Sequence, residues 1–180
     1  MKIVAFCPIK LNSERLPGKN IKTLGTRPLM NHSIQTVLES GYFDEVYVYC
    51  SDESIISILP EGVKFVKRST RLDTAATKGK EIYKSFAECV KSDYYFLFHV
   101  TSPFLTRQSI KLALSSLSEG FDSAISVKSI ASFTWHEGVP INFDPLNPIQ
   151  TQLLTPVYVE TSSFYLVGYK NICAGFRYGQ

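Results

Sequence analysis

Residues 3–20 read Ile3-Val4-Ala5-Phe6-Cys7-Pro8-Ile9-Lys10-Leu11-Asn12-Ser13-Glu14-Arg15-Leu16-Pro17-Gly18-Lys19-Asn20. The apolar run at the start predicts a buried strand over about residues 2–7. A loop follows it with three cations (Lys10, Arg15, Lys19), small polar residues (Asn12, Ser13) and a Pro-Gly turn. A second ordered segment begins near Leu29. A buried strand that delivers a cationic loop at its carboxyl end is suited to hold a phosphate chain, because backbone N–H groups and side-chain cations can converge on the phosphate oxygens. In α/β sheets ligands collect at the carboxyl ends of strands. The loop lacks the Gly-Lys-Ser/Thr of a P-loop and the Gly-x-Gly-x-x-Gly of a dinucleotide site. On charge spacing alone, a solvated surface loop explains the same cations equally well.

Outward from that stretch, short apolar strands alternate with amphipathic helical segments, which favours an α/β domain with a mostly parallel sheet. Leu29, Met30, Ile34, Val37 and Leu38 recur at helical spacing behind Pro28, and Gly41 stops the helix. Strands are expected at Glu45–Cys50, Val63–Val66, Tyr94–Val100 and Asp122–Val127. The third of these is the most apolar and is read as the central one. Asp52 reads as the cap of a helix in preference to a metal ligand. Further helices are expected from about Lys78 to Val90 and from Thr106 to Glu119, with Gly120 as the stop. A last strand is expected at Thr161–Val167, preceded by Val157–Glu160. Residues 129–156 carry four of the nine prolines and little periodicity. Phe133–His136 and Pro140–Phe143 read there as two arms of a hairpin, in a segment of a length that usually serves a specific purpose.

The 180 residues suit one domain, 1–180, with a sizeable core. A 44% hydrophobic share and 19% charged share are those of a soluble globular protein. The net charge of +3, with no basic tract, argues against a broad nucleic-acid surface but allows one cationic pocket for a small anion. No apolar run approaches the ~20 residues a membrane helix needs. The N-terminal apolar stretch is too short for a signal peptide. Cys7, Cys50, Cys89 and Cys173 are far apart without a Cys-x-x-Cys, and His32, His99 and His136 are scattered. Free thiols in a reducing cytoplasm are therefore expected, with no zinc site.

Several apolar strands end in polar groups: Lys10, Ser13, Arg15 and Lys19 after the first, Arg68 and Asp73-Thr74 after the third, His99 through Ser102 after the central one. That fits a ligand crevice better than any one motif does. The wording of the loop is more specific. Ser13-x-Arg15-Leu16-Pro17-Gly18-Lys19-Asn20-Ile21-Lys22, with Leu24 and Arg27-Pro28-Leu29, resembles the N-terminal signature of the acylneuraminate (CMP-sialic acid) cytidylyltransferases and the related 3-deoxy-manno-octulosonate cytidylyltransferases. The resemblance extends over nearly the whole chain. It implies a three-layer α/β/α sandwich, with the Rossmann-like fold of nucleotide-diphospho-sugar transferases. It also implies a reaction in which a sugar hydroxyl attacks the α-phosphorus of CTP and pyrophosphate leaves.

Within that resemblance Lys10 and Lys19 match positions that bind the triphosphate and are the expected catalytic cations, and Ser13 and Arg15 join them as expected phosphate contacts. At Lys10 the sialate branch commonly has arginine. Arg15 either binds phosphate or pairs with Glu14 or Asp73. Arg68 and Asp73-Thr74 match a segment that contacts the base or ribose. Thr101-Ser102-Pro103 matches a turn after the central strand. The family usually has glutamine where this chain has His99, and arginine where it has Thr106 or, with a shift, Arg107. His99 either bonds a base or sugar, or is a core histidine. Glu160 either faces the sugar or is an edge-strand charge. The octulosonate branch carries a metal-binding aspartate in the central turn that this chain lacks, which favours the sialate branch.

The resemblance further implies magnesium, a homodimer to which residues 129–156 contribute an arm, and a cytoplasmic enzyme of surface-glycan or lipopolysaccharide biosynthesis. Its partners would be CTP and an acidic sugar, with no nucleic acid and no membrane. The sialate enzymes carry an Asp-x-Asp motif near their C-terminus, and this sequence stops before one. A piece of a longer enzyme is therefore the expectation, ahead of a catalyst using other carboxylates or a nucleotide-binding protein that does not turn over. The metal ligands are left unassigned.

Overall fold

The apolar run forms β1 (Ile3–Ile9) in a computed structural model that describes residues 1–13 and 16–179. A single turn of 3-10 helix at Lys19–Ile21 and a small ladder of β2 (Thr23–Leu24) and β3 (Arg27–Pro28) lead into α1 (Leu29–Ser40). Then come β4 (Glu45–Cys50), β5 (Val63–Lys67), α2 (Gly79–Cys89), β6 (Tyr94–Phe98) and α3 (Arg107–Ser118). The chain continues through β7 (Ser123–Ile130), β8 (Trp135–His136), β9 (Val139–Pro140), β10 (Val157–Gly168) and α4 (Tyr169–Cys173).

Six strands form one sheet in the order β5-β4-β1-β6-β10-β7. The pairs β5–β4, β4–β1 and β1–β6 are parallel, and β10 runs antiparallel to β6 with Phe164 opposite Phe98. The sheet is thus mostly parallel. β1 ends two residues later than the expected strand, at Ile9. Pro8 fits because it lies beyond the part of β1 paired to β6, so the ladder on that side does not need its missing N–H.

Strand alternation sorts β1 between two cores. Ile3, Ala5, Cys7 and Ile9 point into a cluster with Met30, Ile34 and Val37 of α1 and Ile110 and Ala113 of α3. Val4 and Phe6 point into the other, with Tyr83, Phe86 and Ala87 of α2 and Ile172 of α4. Phe6 stacks on Phe86 with ring centroids 4.0 Å apart. The period of two in a doubly buried strand therefore builds the three layers, helices on both faces of the sheet.

Local signals end the elements. Gly41 closes α1 at φ 69°, a left-handed turn that only glycine adopts freely. Thr106 caps α3, its hydroxyl accepting the Ser109 N–H at 3.1 Å. Asp52 caps as expected, accepting the Ser54 N–H at 2.9 Å, but the element it caps is a 3-10 turn at Glu53–Ile58 and not an α-helix. β6 stops at Phe98, before His99, and the last strand is one continuous run of 12 residues from Val157. Among the described residues no helix is long and apolar enough to cross a membrane.

Contacts divide the chain into two compact units: Met1–Ile125 with Ser163–Gln180, and Ser126–Ser162. The second contains the proline-rich stretch. Its hairpin is shorter than the sequence suggests, β8 and β9 joined by Glu137-Gly138, both at positive φ (48° and 82°). That is the conformation of a two-residue type I′ turn. Asn142 organises this unit: its side chain accepts the Thr134 N–H and donates to the Ser132 and Thr155 carbonyls, each at 3.0 Å. Phe143 packs against Phe133 and Trp135 at centroid distances of 4.7 and 5.2 Å.

Candidate functional site

β1 and β6 are neighbours and both deliver polar residues at their carboxyl ends. Lys10 follows β1 directly, and His99 follows β6 directly. The first loop folds back over this end of the sheet. Gly18 at φ 64° supplies the reversal, and its N–H reaches the Leu11 carbonyl at 3.3 Å. The Ser13 N–H reaches the same carbonyl at 3.0 Å. The turn places Lys19 and Asn20 at the start of the 3-10 segment. A cleft of about 430 Å³ results, lined by Lys10, Ser13, Lys19, Asn20, His99 and Thr101. Ala75, from the loop after β5, completes one wall.

Asn20 is a site residue to which the sequence reading assigned no role. It is buried, and its Nδ2 donates to the Lys10 carbonyl at 2.9 Å, tying the loop to the end of β1. Its Oδ1 is buried without a hydrogen-bond partner among the described residues. A buried acceptor left open is costly. In a polar cleft it is a place for a ligand donor. An asparagine directly after Lys19, just past a turn glycine, was the available signal.

His99 is fixed by its backbone. Its N–H donates to the Ser163 carbonyl at 2.9 Å, and its own carbonyl accepts the Ser102 N–H at 3.0 Å. The ring meets Tyr165 edge-on at 6.3 Å. Burial, followed by the nearby charges of Arg177 and Lys19, holds its pKa below the ordinary histidine value. Ser102 forms the turn behind Thr101, its carbonyl accepting the Leu105 N–H at 3.2 Å.

Arg68 lies outside the lining residues. It is only 3% exposed. Its guanidinium donates to the Ile9 carbonyl at 2.9 Å and to Asp73 Oδ1 at 2.5 Å, and Nη1 is 3.4 Å from the Tyr49 carbonyl. Its backbone N–H reaches the Cys50 carbonyl at 2.9 Å. Arg68 and Asp73 therefore clamp the ends of β1, β4 and β5 together. Thr74 is exposed, shares a hydrogen bond with Thr77 at 3.0 Å, and lines a different recess together with Arg71 and Glu81. Glu160 belongs to the Ser126–Ser162 unit and accepts from the Ser162 hydroxyl at 3.4 Å. Arg15 lies outside the described residues.

The cleft is cationic and rich in donors, suited to phosphate oxygens. Among the described residues no carboxylate lines it, and no three His, Cys, Asp or Glu side chains cluster as metal ligands. Asp73 is engaged by Arg68, and Asp52 by the Ser54 amide. This donor set does not fit a magnesium ion held by protein ligands alone.

A family model described as cytidylyltransferase matches residues 4–155. The chain belongs to the cytidylyltransferase family. It is similar to the N-acylneuraminate cytidylyltransferase of Streptococcus agalactiae serotype V, 29% identical over 151 residues, which cover 82% of this chain and 35% of that protein. It is also similar to the CMP-N,N'-diacetyllegionaminic acid synthase of Legionella pneumophila, 26% identical over 187 residues, covering 96% of this chain and 80% of that one. The chain thus spans about a third of the length of the first relative. Among solved structures, a CMP:2-keto-3-deoxy-manno-octonic acid synthetase complexed with CTP superposes with a TM-score of 0.72 at 16% identity, over 96% of this chain and 76% of the other. That likeness carries the fold, a Rossmann-like nucleotidyltransferase sandwich, and agrees with the layers described above. For this family member, the loop from Lys10 to Asn20 lies inside the matched region.

Proposed function

We propose that this protein transfers CMP from CTP to an acidic sugar of the nine-carbon, sialic acid-like class and releases pyrophosphate. The observation that carries the reading is the convergence of Lys10, Ser13, Lys19 and Asn20 with His99 at the adjoining ends of β1 and β6, in a chain of the cytidylyltransferase family. The sugar hydroxyl attacks the α-phosphorus and the β,γ-diphosphate leaves. No protein nucleophile is needed, so catalysis is mainly positioning together with the offsetting of phosphate charge. Lys10 and Lys19 supply that charge and serve as the catalytic cations, with Ser13, and Arg15 in the same loop, as further phosphate contacts. The open Asn20 Oδ1 accepts a donor from the nucleotide. Thr101 and Ser102 border the sugar, and Asp73 with Arg68 holds the strand ends on which the base rests. Thr74, which lines a separate recess, is given no contact with the nucleotide in this reading. Magnesium, where it takes part, would supply further offset of phosphate charge and would have to come with the nucleotide, since no described side chains of the cleft form a carboxylate set to hold it.

The names of the relatives support an acid of this class, since the two compared above are an N-acylneuraminate cytidylyltransferase and a CMP-N,N'-diacetyllegionaminic acid synthase. We place the enzyme in the cytoplasm, where CTP is made, supplying a surface glycan or lipopolysaccharide. We also propose a homodimer. Trp135, Val139, Ile141 and Leu146 of the Ser126–Ser162 unit are exposed and apolar, which supports a protein contact there.

The test is pyrophosphate release with each of the four nucleoside triphosphates, magnesium and a panel of sugar acids. Release that requires CTP and a nine-carbon acid supports the reading. Release only with 3-deoxy-manno-octulosonate reassigns the substrate. CTP binding without release from any acid replaces the transferase with a nucleotide-binding protein. In parallel, Lys19→Ala removes a charge-assisted contact and is expected to cost about 1.5–3 kcal/mol of CTP affinity, roughly ten- to a hundredfold. Unchanged affinity would return the loop to a plain solvated surface.

A further inference from the structure

The transfer reaction releases a proton from the attacking hydroxyl, and among the described residues of the cleft one side chain is suited to take it. Lys10 and Lys19 present ammonium groups with no acceptor capacity, and Ser13, Asn20 and Thr101 are neutral hydrogen-bonding groups. His99 lines the same cleft, and imidazole is the side chain that gains and loses a proton near neutrality. No described residue hydrogen-bonds either of its ring nitrogens, although its backbone is held on both sides by Ser163 and Ser102. The ring plane stands at 89° to Tyr165, which is 1% exposed and cannot yield. Arg177 arrives from the segment after α4, lies 4.1 Å over the Tyr165 ring and donates to its hydroxyl. That segment is pinned where the Gly179 N–H meets the Ser123 hydroxyl at 2.7 Å.

We propose that His99 is a catalytic residue of the transfer, the base that accepts the proton of the attacking sugar hydroxyl, and that Arg177, over Tyr165, is its positioning residue. The inference rests on the cytidylyltransferase reading above. In the step, the hydroxyl O–H bond breaks and its oxygen bonds to the α-phosphorus. The bond from that phosphorus to the bridging oxygen breaks, and pyrophosphate leaves with the electron pair. The proton goes to an imidazole nitrogen, and the imidazolium later gives it to solvent. Two charged groups face the ring, Lys19 from the first loop and Arg177 from the C-terminal segment, and burial acts in the same direction, so the free imidazole stays uncharged at neutral pH. Bound triphosphate offsets the cations, which makes proton uptake easier when the substrate is in place.

The experiment is the pH profile of kcat/KM with CTP and the accepted sugar acid for the wild type, His99→Gln and Arg177→Gln, together with proton NMR titration of the three histidines. The wild-type profile is expected to fall on its acid side below the ordinary histidine value of ~6.5. His99→Gln should lower kcat by roughly a hundredfold, more than it weakens CTP binding, and should abolish the acid limb. Arg177→Gln removes a cation, which raises the histidine pKa, so both the acid limb and the His99 resonance should move to higher pH. A His99→Gln enzyme that keeps the limb, or an Arg177→Gln protein with an unmoved His99 titration, overturns the inference while the transferase reading stands. A wild type that releases no pyrophosphate with any acid overturns the transferase reading itself.

Discussion

Replacing Asp73 with leucine should destabilise the fold by about 3 kcal/mol, although Asp73 is far from the centre of either core. Its carboxylate is the charge partner of a guanidinium that is 3% exposed. Removing one member of a buried ion pair strands the other charge and typically costs about 3–5 kcal/mol. The lower end applies here for two reasons. Arg68 keeps the Ile9 and Tyr49 carbonyls as acceptors, and the Asp73 side chain is 16% exposed, so water enters readily. For a chain of this length each kcal/mol moves the melting temperature by roughly 2–4 °C, so a fall of about 6–12 °C is expected. Urea unfolding gives the free energy directly, and a fluorimetric melt checks it. The double variant Arg68→Met/Asp73→Leu removes the stranded charge and should recover part of the loss, leaving the two carbonyls as the remaining cost. Two results would refute the reasoning: an Asp73→Leu variant within about 0.5 kcal/mol of wild type, where ordinary surface substitutions fall, or a double variant whose loss equals the sum of the single ones. The clamp also fixes Ile9, next to Lys10, so CTP affinity should drop in the single variant before the fold is lost.

Four further outcomes are expected. Thr106→Ala removes the cap of α3 and should cost about 1 kcal/mol in urea unfolding, with Thr106→Ser close to wild type. Glu45 is held down to about 2 by hydrogen bonds from Lys2 and Lys64 and then from Tyr47. A carboxyl lowered in the folded state stabilises above the ordinary glutamate range and loses that contribution as pH falls toward 2; Glu45→Gln should therefore flatten the acid limb of stability against pH. His99 has the opposite chemistry but the same slope. Its pKa is lowered in the folded state, so the unfolded chain binds more protons below the ordinary histidine range, stability falls with acidification there, and His99→Gln should remove that component. Ellman's reagent should label Cys89 and Cys173 quickly in the folded protein, while Cys7 and Cys50, buried and with thiol pKa values raised by burial, react only on unfolding; equal rates for all four would contradict the packing of β1 and β4.

Much of the architecture is legible locally. The period of two in β1 and β6, the helical spacing of α1, α2 and α3, the glycine after α1 and the threonine before α3 are properties of neighbours in the chain, and local sterics and burial decide them. The cationic loop is likewise written in consecutive residues, as is its resemblance to a cytidylyltransferase signature. Tertiary structure decided what depends on partners far away. The last long strand enters antiparallel between β6 and β7 because pairing direction is set by which edge is free, and periodicity does not encode it. Arg68 reads as a ligand contact in the chain, but in three dimensions the carbonyls of β1 and β4 and the carboxylate of Asp73 surround it. Asn20 becomes a site residue only because its amide meets the end of β1, leaving one oxygen open. His99 joins the first loop across about 80 residues of chain because β1 and β6 are adjacent and parallel in the sheet, so their carboxyl ends lie on the same side. Sequence by itself determined the elements and the charge they carry; long-range strand pairing determined which of those charges share a cleft.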